Sequence, residues 1–464
     1  MEIKYPAFYT KPMTQVVLIG MTCFATVGMF IAVSGLGAGG TQDVVLSDTS
    51  LSIYFGMYAL TGLIGGGICN VLGPKLTLFI GTLGYALYVG ALWCFQTQGT
   101  RWFLIFAGVI LGITAALLSS AQGSIMMSYP LEKDKGKAFA LYWAIFQSGS
   151  FIGSLIALGI NIRHDGLTAV TTSTYIVFLV IILVGIASSF LVLPPNRVIR
   201  ADGTIVKVVA ASAPHEEIIG MWNLLKDWRI FALLPMSFAS NYFYAYQGAV
   251  NVGRFDGPTR ALNGTLAGAG SIVGALLMGY LVLDTKFLHR RARGYFGLAV
   301  VATMTIIVWS IGLSWQVTFT RKDDTPANFI NYKDKAYRGK GALYFFYLFV
   351  DACYQALACW TLGALTNDPF KVTRYAGLYR PSRSGAGGFG MDAVATPLLN
   401  EHLASWILML VSFPFAWLVL RTVKETNYED EKVVYVDDIK KDEQEKGGEE
   451  GSIEKASISA NANV

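Results

Sequence analysis

Charged residues are scarce in this chain. They make up 14% of its 464 residues, whereas a soluble domain has about 25%. Hydrophobic residues make up 53%, and the mean hydropathy is +0.48. A water-facing surface needs more charge than this, so the composition excludes a soluble globular enzyme, a disordered chain and a collagen-like fibre. The 49 glycines are typical of membrane helices, whose backbones approach closely at small residues.

Cysteine is also rare. An odd number of cysteines without a CxxC pair excludes a disulfide framework and gives no reason to expect a structural metal. We expect them to pack as small apolar side chains. The chain contains no nucleophile elbow, phosphate loop or metalloprotease helix, so the sequence predicts neither enzyme activity nor a cofactor. The five cysteines are Cys23, Cys69, Cys94, Cys353 and Cys359.

The net charge of +5 combines a basic body with an acidic tail. Residues 425–464 hold 12 acidic residues and 5 lysines, a composition that predicts disorder. Such a tail acts as a solubilising segment or as a trafficking or partner-binding segment. No stretch has the basic stripe with interleaved aromatic residues that binds nucleic acid, so we expect no nucleic-acid partner.

Long apolar runs make up most of the chain. A membrane-spanning helix needs about 20 predominantly apolar residues. The first run lacks the pattern of a cleaved signal peptide, so we expect it to remain as span 1. The sequence therefore predicts an all-α, multi-pass membrane protein that resides in a lipid bilayer. The twelve predicted spans are about residues 14–36, 51–72, 77–95, 102–127, 138–161, 172–193, 229–250, 262–283, 295–316, 342–366, 381–399 and 403–422.

Basic residues in the short connections predict the orientation. With the N-terminus inside, 26 of the 36 Lys and Arg residues lie on the cytoplasmic side, and both termini are cytoplasmic. The connection between spans 1 and 2 is then outside, and it holds Asp43 and Asp48 but no base. The connection from Arg321 to Lys340 is an exception, because it places six bases outside.

One long polar connection divides the spans into six and six. It covers residues 194–228 and separates a predicted bundle at 1–193 from a second at 229–424, which the tail at 425–464 follows. This division suggests parallel repeats about an axis normal to the membrane. Three local matches agree with a duplicated six-helix unit: Phe30 with Phe243, Gln122 with Gln355, and Ser148 with Ser384.

Two acidic residues interrupt the apolar spans of the C-terminal half. At 1.5 Å per residue, Asp351 lies roughly 14 Å from the outer end of span 10 and Asp392 roughly 16 Å from the inner end of span 11. A carboxylate near the bilayer midplane indicates a functional site, by proton coupling or by contact with a cation. The alternative is a structural acid that caps a backbone break or pairs with Arg383.

Uncharged polar residues form a second candidate set on spans 4, 5, 7 and 10. In a transporter with two related halves, these spans line or approach the central cavity. With neighbouring tyrosines they suit a mostly neutral, partly aromatic ligand. The alternative is hydrogen bonding between helices, worth about 0.6 kcal/mol each. The set comprises Gln122, Gln147, Asn161, Asn241, Gln247, Asn251 and Gln355, with Tyr242, Tyr244, Tyr246 and Tyr354.

The connection after span 2 contains a candidate gating loop. Its residues run Gly66-Gly67-Ile68-Cys69-Asn70-Val71-Leu72-Gly73-Pro74-Lys75. This run resembles the inner-loop signature of the major facilitator superfamily, Gly-x-x-x-Asp-Arg-x-Gly-Arg-Arg. Gly66, Gly73 and Lys75 match it, but Asn70 stands where the signature has Asp, and two Arg positions are lost. A helix–Gly–Pro turn explains the same residues.

Several longer strings share one family pattern. They are Ala121-Gln122-Gly123, Lys135-Gly136-Lys137, Tyr142-Trp143-Ala144-Ile145-Phe146-Gln147-Ser148, Ser240-Asn241-Tyr242-Phe243-Tyr244-Ala245-Tyr246-Gln247, Arg260-Ala261-Leu262-Asn263, Asp351-Ala352-Cys353-Tyr354-Gln355, Gly363-Ala364-Leu365-Thr366-Asn367-Asp368, Tyr375-Ala376-Gly377 and Ser384-Gly385-Ala386-Gly387. Together they resemble the uncoordinated family, the unc-ninety-three-like proteins, in the branch common in fungi. The resemblance covers nearly the whole chain except the two tails and the loop after span 9. It implies a major facilitator fold.

The resemblance leaves two functions open, because a fold shared by transporters does not establish transport. Animal relatives in this family act as regulatory partners of a potassium channel or as escorts of innate immune receptors. One hypothesis is a secondary transporter that moves a small organic solute by alternating access, with proton coupling as an option. The other is a non-transporting regulator or trafficking chaperone of another membrane protein. The altered loop signature, the charge-free first half and the acidic tail favour this second hypothesis.

Overall fold

The described part of the chain is almost entirely helical. A computed structural model describes residues 6–35, 44–161, 172–200, 203–204, 214–379, 388, 391–392 and 394–427. Most of the predicted acidic tail, from residue 428 onwards, therefore lies outside the described residues, as do the connection at 36–43 and Arg383.

The described part of the N-terminal half forms six long helices. Helix α1 begins at Pro12–Cys23 and continues through a π-helical turn, Phe24–Gly28, into Met29–Gly35. Gly73 has a positive φ of 80° and precedes Pro74, so this pair ends one helix and begins the next. The other helices are α2 Val44–Leu72, α3 Pro74–Gln98, α4 Arg101–Ser128, α5 Lys135–Asn161 and α6 Thr172–Ser188.

The C-terminal half contains a matching series. A short helix in the connection, α7 Pro214–Leu225, precedes it. Helix α9 ends in a π-helical turn, Met278–Leu283. The helices are α8 Trp228–Arg254, α9 Gly257–Leu277, α10 Arg290–Gln316, α11 Tyr337–Leu365, α12 Pro369–Tyr379 and α13 Leu398–Leu420.

Ten helices in the described ranges are long and apolar enough to cross a membrane. They correspond to predicted spans 1–6, 8–10 and 12. Helix α8, the predicted span 7, is 27 residues long but carries more polar residues. The all-α membrane prediction is therefore confirmed for the described chain, and the helix ends lie within a few residues of most predicted boundaries.

The predicted boundaries of span 11 are wrong. The sequence places this span at residues 381–399, whereas the structure begins a helix at Pro369 and forms a turn at Val394-Ala395. Most of the residues between Tyr379 and Val394 lie outside the description. The apolar window began too late because Lys371 and Arg374 occupy the first two turns of α12. Helix α13 likewise begins at Leu398, earlier than the predicted residue 403.

Each half packs with the same pattern of neighbours. In the N-terminal half, α4 packs against α2 and α3, and α6 packs against α1 and α3. In the C-terminal half, α11 packs against α9 and α10, and α13 packs against α8 and α10. These pairs correspond when span 7 is matched to span 1, so the predicted duplication of a six-helix unit is confirmed.

The two halves meet along two seams. Helix α5 packs along α9, and α12 packs against α2 and α4. Small residues allow close approach at both seams: a Cβ at Gly279 would lie 2.6 Å from the Gly136 carbonyl oxygen, and one at Gly66 would lie 2.7 Å from that of Thr373. We call the side that carries the connections after α2, α4, α6, α9 and α11 the basic end. It is the side predicted to be cytoplasmic.

Candidate functional site

Asp351 occupies the middle of α11 and faces α8. It is 1% exposed. The Tyr244 hydroxyl donates a hydrogen bond to Asp351 Oδ2 at 2.5 Å, and Gln355 Nε2 donates to Asp351 Oδ1 at 3.3 Å. Gln355 Nε2 also lies 3.4 Å from Asn241 Oδ1. The structure thus brings together three of the predicted site residues, Asp351, Asn241 and Gln355, with Tyr244 as a fourth member.

No basic side chain pairs with Asp351 among the described residues. Two neutral donors are therefore its recorded partners. A buried carboxylate without a counter-charge is costly when ionised. The arrangement thus favours an acid that can exist protonated, with the tyrosine and glutamine holding its position.

Gln147 marks the seam between the halves. Its Nε2 donates to Ser271 Oγ of α9 at 2.7 Å, and Trp143 Nε1 donates to the same oxygen at 2.9 Å. Both donors belong to α5, so one hydroxyl on the second bundle receives two hydrogen bonds from the first. Gln147 therefore lies where a relative movement of the bundles changes its contacts.

Three of the candidate amides have a buried polar atom without a hydrogen-bond partner in the described protein. These atoms are Gln122 Oε1, Gln147 Oε1 and Gln247 Nε2. The amide nitrogen of Gln122 lies 3.6 Å from Met126 Sδ. Buried polar atoms normally find a partner, so these groups retain capacity to bind a polar ligand or water. No recorded hydrogen bond joins them to Asp351.

Other members of the predicted polar set lie inside the C-terminal bundle. Tyr246 donates to Gln316 Oε1 at 2.7 Å and its ring lies against His402. Asn251 accepts a hydrogen bond from Asn263 Nδ2 at 2.8 Å. Tyr354 donates to the Met236 carbonyl at 3.0 Å. These contacts support the interhelical alternative for these three residues. The Asn161 side chain lies outside the description.

The predicted position of Asp392 near the midplane is wrong. Asp392 lies two residues before the turn at Val394, and Arg321 Nη2 lies 2.6 Å from Asp392 Oδ1. Arg321 also pairs with Glu401 at 2.6 Å and belongs to the connection between α10 and α11. Asp392 therefore belongs to a charged cluster at the end opposite the basic end. The prediction counted from a helix start that was twelve residues too late.

The candidate gating loop contacts the second bundle through Asn70. Asn70 Nδ2 donates to Glu217 Oε2 at 3.0 Å and lies 3.4 Å from the Phe370 carbonyl oxygen. Glu217 belongs to α7, is 3% exposed, and forms a bidentate pair with Arg374 of α12 at 2.8 and 2.9 Å. A carboxylate from the connecting helix thus lies beside Asn70.

The remaining loop candidates have separate local roles. Gly66 allows the close approach of α2 to α12, and Gly73 forms the left-handed turn before α3. The Lys75 ammonium donates to the Phe190 carbonyl at 2.7 Å, on an exposed surface within the N-terminal half. Lys75 therefore does not join the two bundles in this structure.

Three charged residues that the sequence analysis did not select also join the halves at the basic end. Asp284 accepts hydrogen bonds from the backbone N–H groups of Gly136 at 3.2 Å and Lys137 at 2.6 Å. Lys135 Nζ donates to the Gly363 carbonyl at 2.6 Å. A charged group at a helix terminus is favourable when its sign opposes the helix dipole. Asp284 at the start of α5 and Lys135 at the end of α11 both satisfy this rule.

Glu132 is the third such residue. It pairs with Arg290 at 3.1 Å and accepts hydrogen bonds from Thr426 Oγ1 and the Asn427 backbone, both at 3.0 Å. Together with Asp284, Lys135 and the Glu217 pair, it holds the two bundles together at the basic end. Sequence reasoning overlooked these residues because it searched for charges inside the spans, whereas they lie at the helix ends.

The sequence comparison identifies the family. The model of a family described as "Ion channel regulatory protein UNC-93" matches residues 48–336, more than half of the chain. The chain belongs to the UNC-93 family. This confirms the resemblance found in the sequence strings. The UNC-93 match includes the candidate loop at Asn70 and the connecting helix, but it ends before Asp351.

Named UNC93-like proteins are similar over nearly the whole chain. UNC93-like protein 1 of Arabidopsis thaliana is 36% identical over 91% of this chain and 93% of its own length. An UNC93-like protein of Schizosaccharomyces pombe is 34% identical over 90% of this chain and 84% of its own length. The similarity therefore includes both bundles.

Solved structures show the fold of this UNC-93 member. The E. coli fucose:proton symporter FucP, a major facilitator superfamily transporter, aligns over 88% of this chain and 98% of its own, with a TM-score of 0.57 at 13% identity. The human organic anion transporter MFSD10 aligns over 90% and 100%, with a TM-score of 0.59 at 12% identity. The predicted major facilitator fold is confirmed.

Proposed function

We propose that the chain moves a small, largely uncharged organic solute across a membrane by alternating access, and that Asp351 takes up and releases a proton during the cycle. The two predicted bundles, 1–193 and 229–424, would be the rocking units. The basic end would face the cytoplasm, with both termini on that side.

One observation carries this proposal. Asp351 is buried at the centre of α11 between two neutral donors, and no base pairs with it in the described ranges. An ionised acid of this kind is costly inside a membrane, so its presence indicates a function. Protonation removes the cost, and a proton is therefore the ion that this site suits best.

The surrounding chemistry favours a neutral solute. Gln122, Gln147 and Gln247 each retain a buried polar atom without a partner among the described residues, and Tyr244 presents a hydroxylated ring beside Asp351. Amides and hydroxyls recognise hydroxyl, amide and carbonyl groups without needing a net charge. Hydroxylated solutes and uncharged aromatic heterocycles are therefore the proposed substrate classes.

Proteoliposomes loaded with a pH-sensitive dye test the proposal. The purified chain is challenged with a panel of sugars, polyols and uncharged aromatic heterocycles, with and without a pH gradient. We expect at least one class to move protons with the solute. Asp351→Asn should abolish this proton movement while the chain remains folded, because an amide does not take up or release a proton at the pH values of the assay.

Asp323→Asn is the matched control. Asp323 caps a turn in the connection after α10, so its replacement should leave the proton signal intact. If no solute class moves protons, or if Asp351→Asn transports as well as the unmodified chain, the proton-coupled proposal is wrong.

A second candidate function is regulation of another membrane protein. The description of the matching family, an ion channel regulatory protein, favours it. The extensive contacts between the bundles at the basic end are also compatible with a static scaffold. In this case the acidic tail would supply a contact for the partner.

The two candidates predict different results for the same variant. A regulator should capture a specific membrane partner from detergent extracts, and Asp351→Asn should not change that capture. A transporter should lose proton movement on Asp351→Asn, whether or not it binds a partner. If neither property is found, both candidates fail.

A further inference from the structure

The connecting helix α7 presents two chemically different faces. Its inner face contacts the bundles through Glu217, Gly220 and Leu224. Leu224 is 8% exposed, and a Cβ at Gly220 would lie 2.4 Å from the Arg374 guanidinium carbon. This face is therefore docked on α2 and α12.

The outer face of α7 is apolar and exposed. Ile218, Ile219 and Trp222 are 70%, 57% and 62% exposed. Three large apolar side chains side by side on a helix of twelve residues are unfavourable in water. Asn223, also exposed, lies at the edge of this face, about 40° around the axis from Ile219 and about 140° from Ile218.

The outer face continues into a membrane-spanning surface. Helix α7 ends at Leu225 and α8 begins at Trp228, so the two helices are linked by only Lys226 and Asp227. In the first turn of α8, Trp228 and Phe231 are 54% and 57% exposed. Because α8 is the predicted span 7, these side chains face lipid, and the apolar side of α7 lies next to them at the basic end.

The flanking charges are typical of a helix at the lipid surface. Lys226 Nζ lies 5.8 Å from the centre of the Trp222 ring. Tryptophan and lysine each have an apolar part and a polar or charged end. Both side chains are therefore favoured at the depth of the lipid head groups. The geometry therefore places Trp222 at the boundary between lipid and water.

We propose that α7 is an interfacial helix. Ile218, Ile219 and Trp222 insert into the lipid surface at the basic end, while Glu217 on the opposite face binds Arg374 of α12. The occupant of the exposed face is the bilayer that the chain itself spans. Helix α7 thereby connects the membrane surface to the contact between the two bundles, whether or not the chain transports a solute.

Apolar insertion, rather than lipid charge, provides the attraction in this arrangement. The exposed face carries Ile and Trp side chains, and Glu217 is turned away from it. Interfacial helices of this composition bind through buried apolar area. The helix should therefore seat in neutral and in anionic bilayers alike.

Depth-dependent quenching of a fluorophore tests the proposal in the full-length chain. The half-buried Cys94 and Cys359 are replaced by serine, and Ile218→Cys or Asn223→Cys is labelled with an environment-sensitive dye. The protein is placed in nanodiscs of neutral phosphatidylcholine, with or without phosphatidylglycerol. Lipids with a spin label near the head group and aqueous iodide then serve as the two quenchers.

The two positions should respond in opposite ways. We expect the lipid quencher to act on the Ile218→Cys label at least about twofold more strongly than on the Asn223→Cys label in both lipid compositions, and iodide to show the reverse order. Trp222→Cys, about 40° around the axis from Ile218 and about 100° from Asn223, should behave as Ile218→Cys does, and this second position guards against a local effect of one label.

Three outcomes would overturn the proposal. Iodide quenching at position 218 equal to that at 223 would place the apolar face in water. Shielding from both quenchers would show that protein covers the face. Lipid quenching that appears only with phosphatidylglycerol would replace apolar insertion with charge attraction.

Discussion

The two halves of the molecule form the carboxylate contact between the bundles at the basic end in different ways. In the C-terminal half, Asp284 follows α9 and its carboxylate accepts backbone N–H groups at the start of α5. In the N-terminal half, the corresponding position is Asn70 in the last turn of α2, and a carboxylate comes instead from Glu217 of α7. The duplicated unit has thus kept a local acid on one side and uses one from the connecting helix on the other.

This difference shows why the altered loop signature does not imply a lost contact. Asn70 cannot carry the charge of the signature Asp, but Glu217 lies 3.0 Å from its amide nitrogen and binds Arg374 in bidentate geometry. Such paired arginine–carboxylate bonds are the strong ones. The seam between α2 and α12 therefore depends on α7, a helix outside both bundles. The seam between α5 and α9 depends instead on Asp284, which directly follows α9.

The largest effect should come from removing the Glu217 carboxylate. Glu217→Ala leaves the mostly buried Arg374 without its partner, and breaking a buried pair costs about 3–5 kcal/mol. We expect the unfolding midpoint in detergent to fall, and we expect Thr373→Cys, buried at the α4–α12 contact, to react faster with an impermeant maleimide.

Lys75→Ala is the control for the Glu217 variant. Lys75 lies on an exposed surface and donates to Phe190 within one bundle. Its replacement should change the free energy of unfolding by less than about 0.5 kcal/mol, so the midpoint should hardly move. Equal effects of the two variants would contradict the role assigned to Glu217.

The second prediction concerns the sign of a change in stability at the α2–α12 seam. Asn70→Asp restores the signature acid, but it places a second carboxylate beside Glu217. Alone it should destabilise the seam by about 1–2 kcal/mol, and in a Glu217→Gln background it should stabilise it. Labelling of Thr373→Cys in the four members of this double-mutant cycle measures the change.

A cycle in which Asn70→Asp has the same effect in both backgrounds would show that the two side chains act independently. The hydrogen bond between Asn70 and Glu217 would then contribute nothing to closure. Size-exclusion profiles of all four proteins provide the check that each remains folded.

The smallest effect concerns Asp284. Burial raises the pKa of Asp284 to about 6, although the N–H groups of Lys137 and Gly136 oppose the shift. A carboxyl with a raised pKa binds its proton more tightly in the closed arrangement than in water. Asp284 therefore stabilises the α5–α9 contact at low pH, and this contribution is lost as pH rises through about 6.

Asp284→Asn should remove this pH dependence while changing stability near neutral pH by less than about 1 kcal/mol, because the cost of burying the charge offsets its hydrogen bonds. The reporter is Ala140→Cys, buried beside Gly279. Because any thiol reacts more slowly as its thiolate fraction falls, the labelling rate is divided by that of a free thiol at the same pH. This ratio should fall between about pH 7 and pH 5 in the parent chain. An unchanged pH profile in Asp284→Asn would contradict this assignment.

The spans were readable because the bilayer imposes a length and an apolar composition on each helix. The first two turns of α12 could not be recognised in this way. Lys371 and Arg374 give them the composition of a loop, and the contact of Arg374 with Glu217 explains how these charged turns form part of the helix. Helix α7 did have a sequence signal, since Ile218, Met221, Trp222 and Leu225 recur at helical spacing.

The candidate site also has one part that the sequence predicts and another part that it does not. Asp351 could be selected from sequence, because a carboxylate in an apolar span is rare in any membrane protein. Its partners could not, since spacing along a helix does not reveal which side chain a neighbouring helix presents. Asp392 illustrates this limit: its position followed from the helix start, and its partner Arg321 lies in a distant connection.

The sequence by itself determined the class of the protein: a chain with this little charge must place its helices in lipid, and its repeated strings identify the family. The tertiary structure alone decided which polar groups meet. It paired Asp351 with Tyr244, moved Asp392 to the charged cluster with Arg321, and brought Glu217 to Arg374. The reason is physical: transfer of apolar area depends on composition, whereas a hydrogen bond or ion pair depends on the distance and angle between residues far apart in the chain.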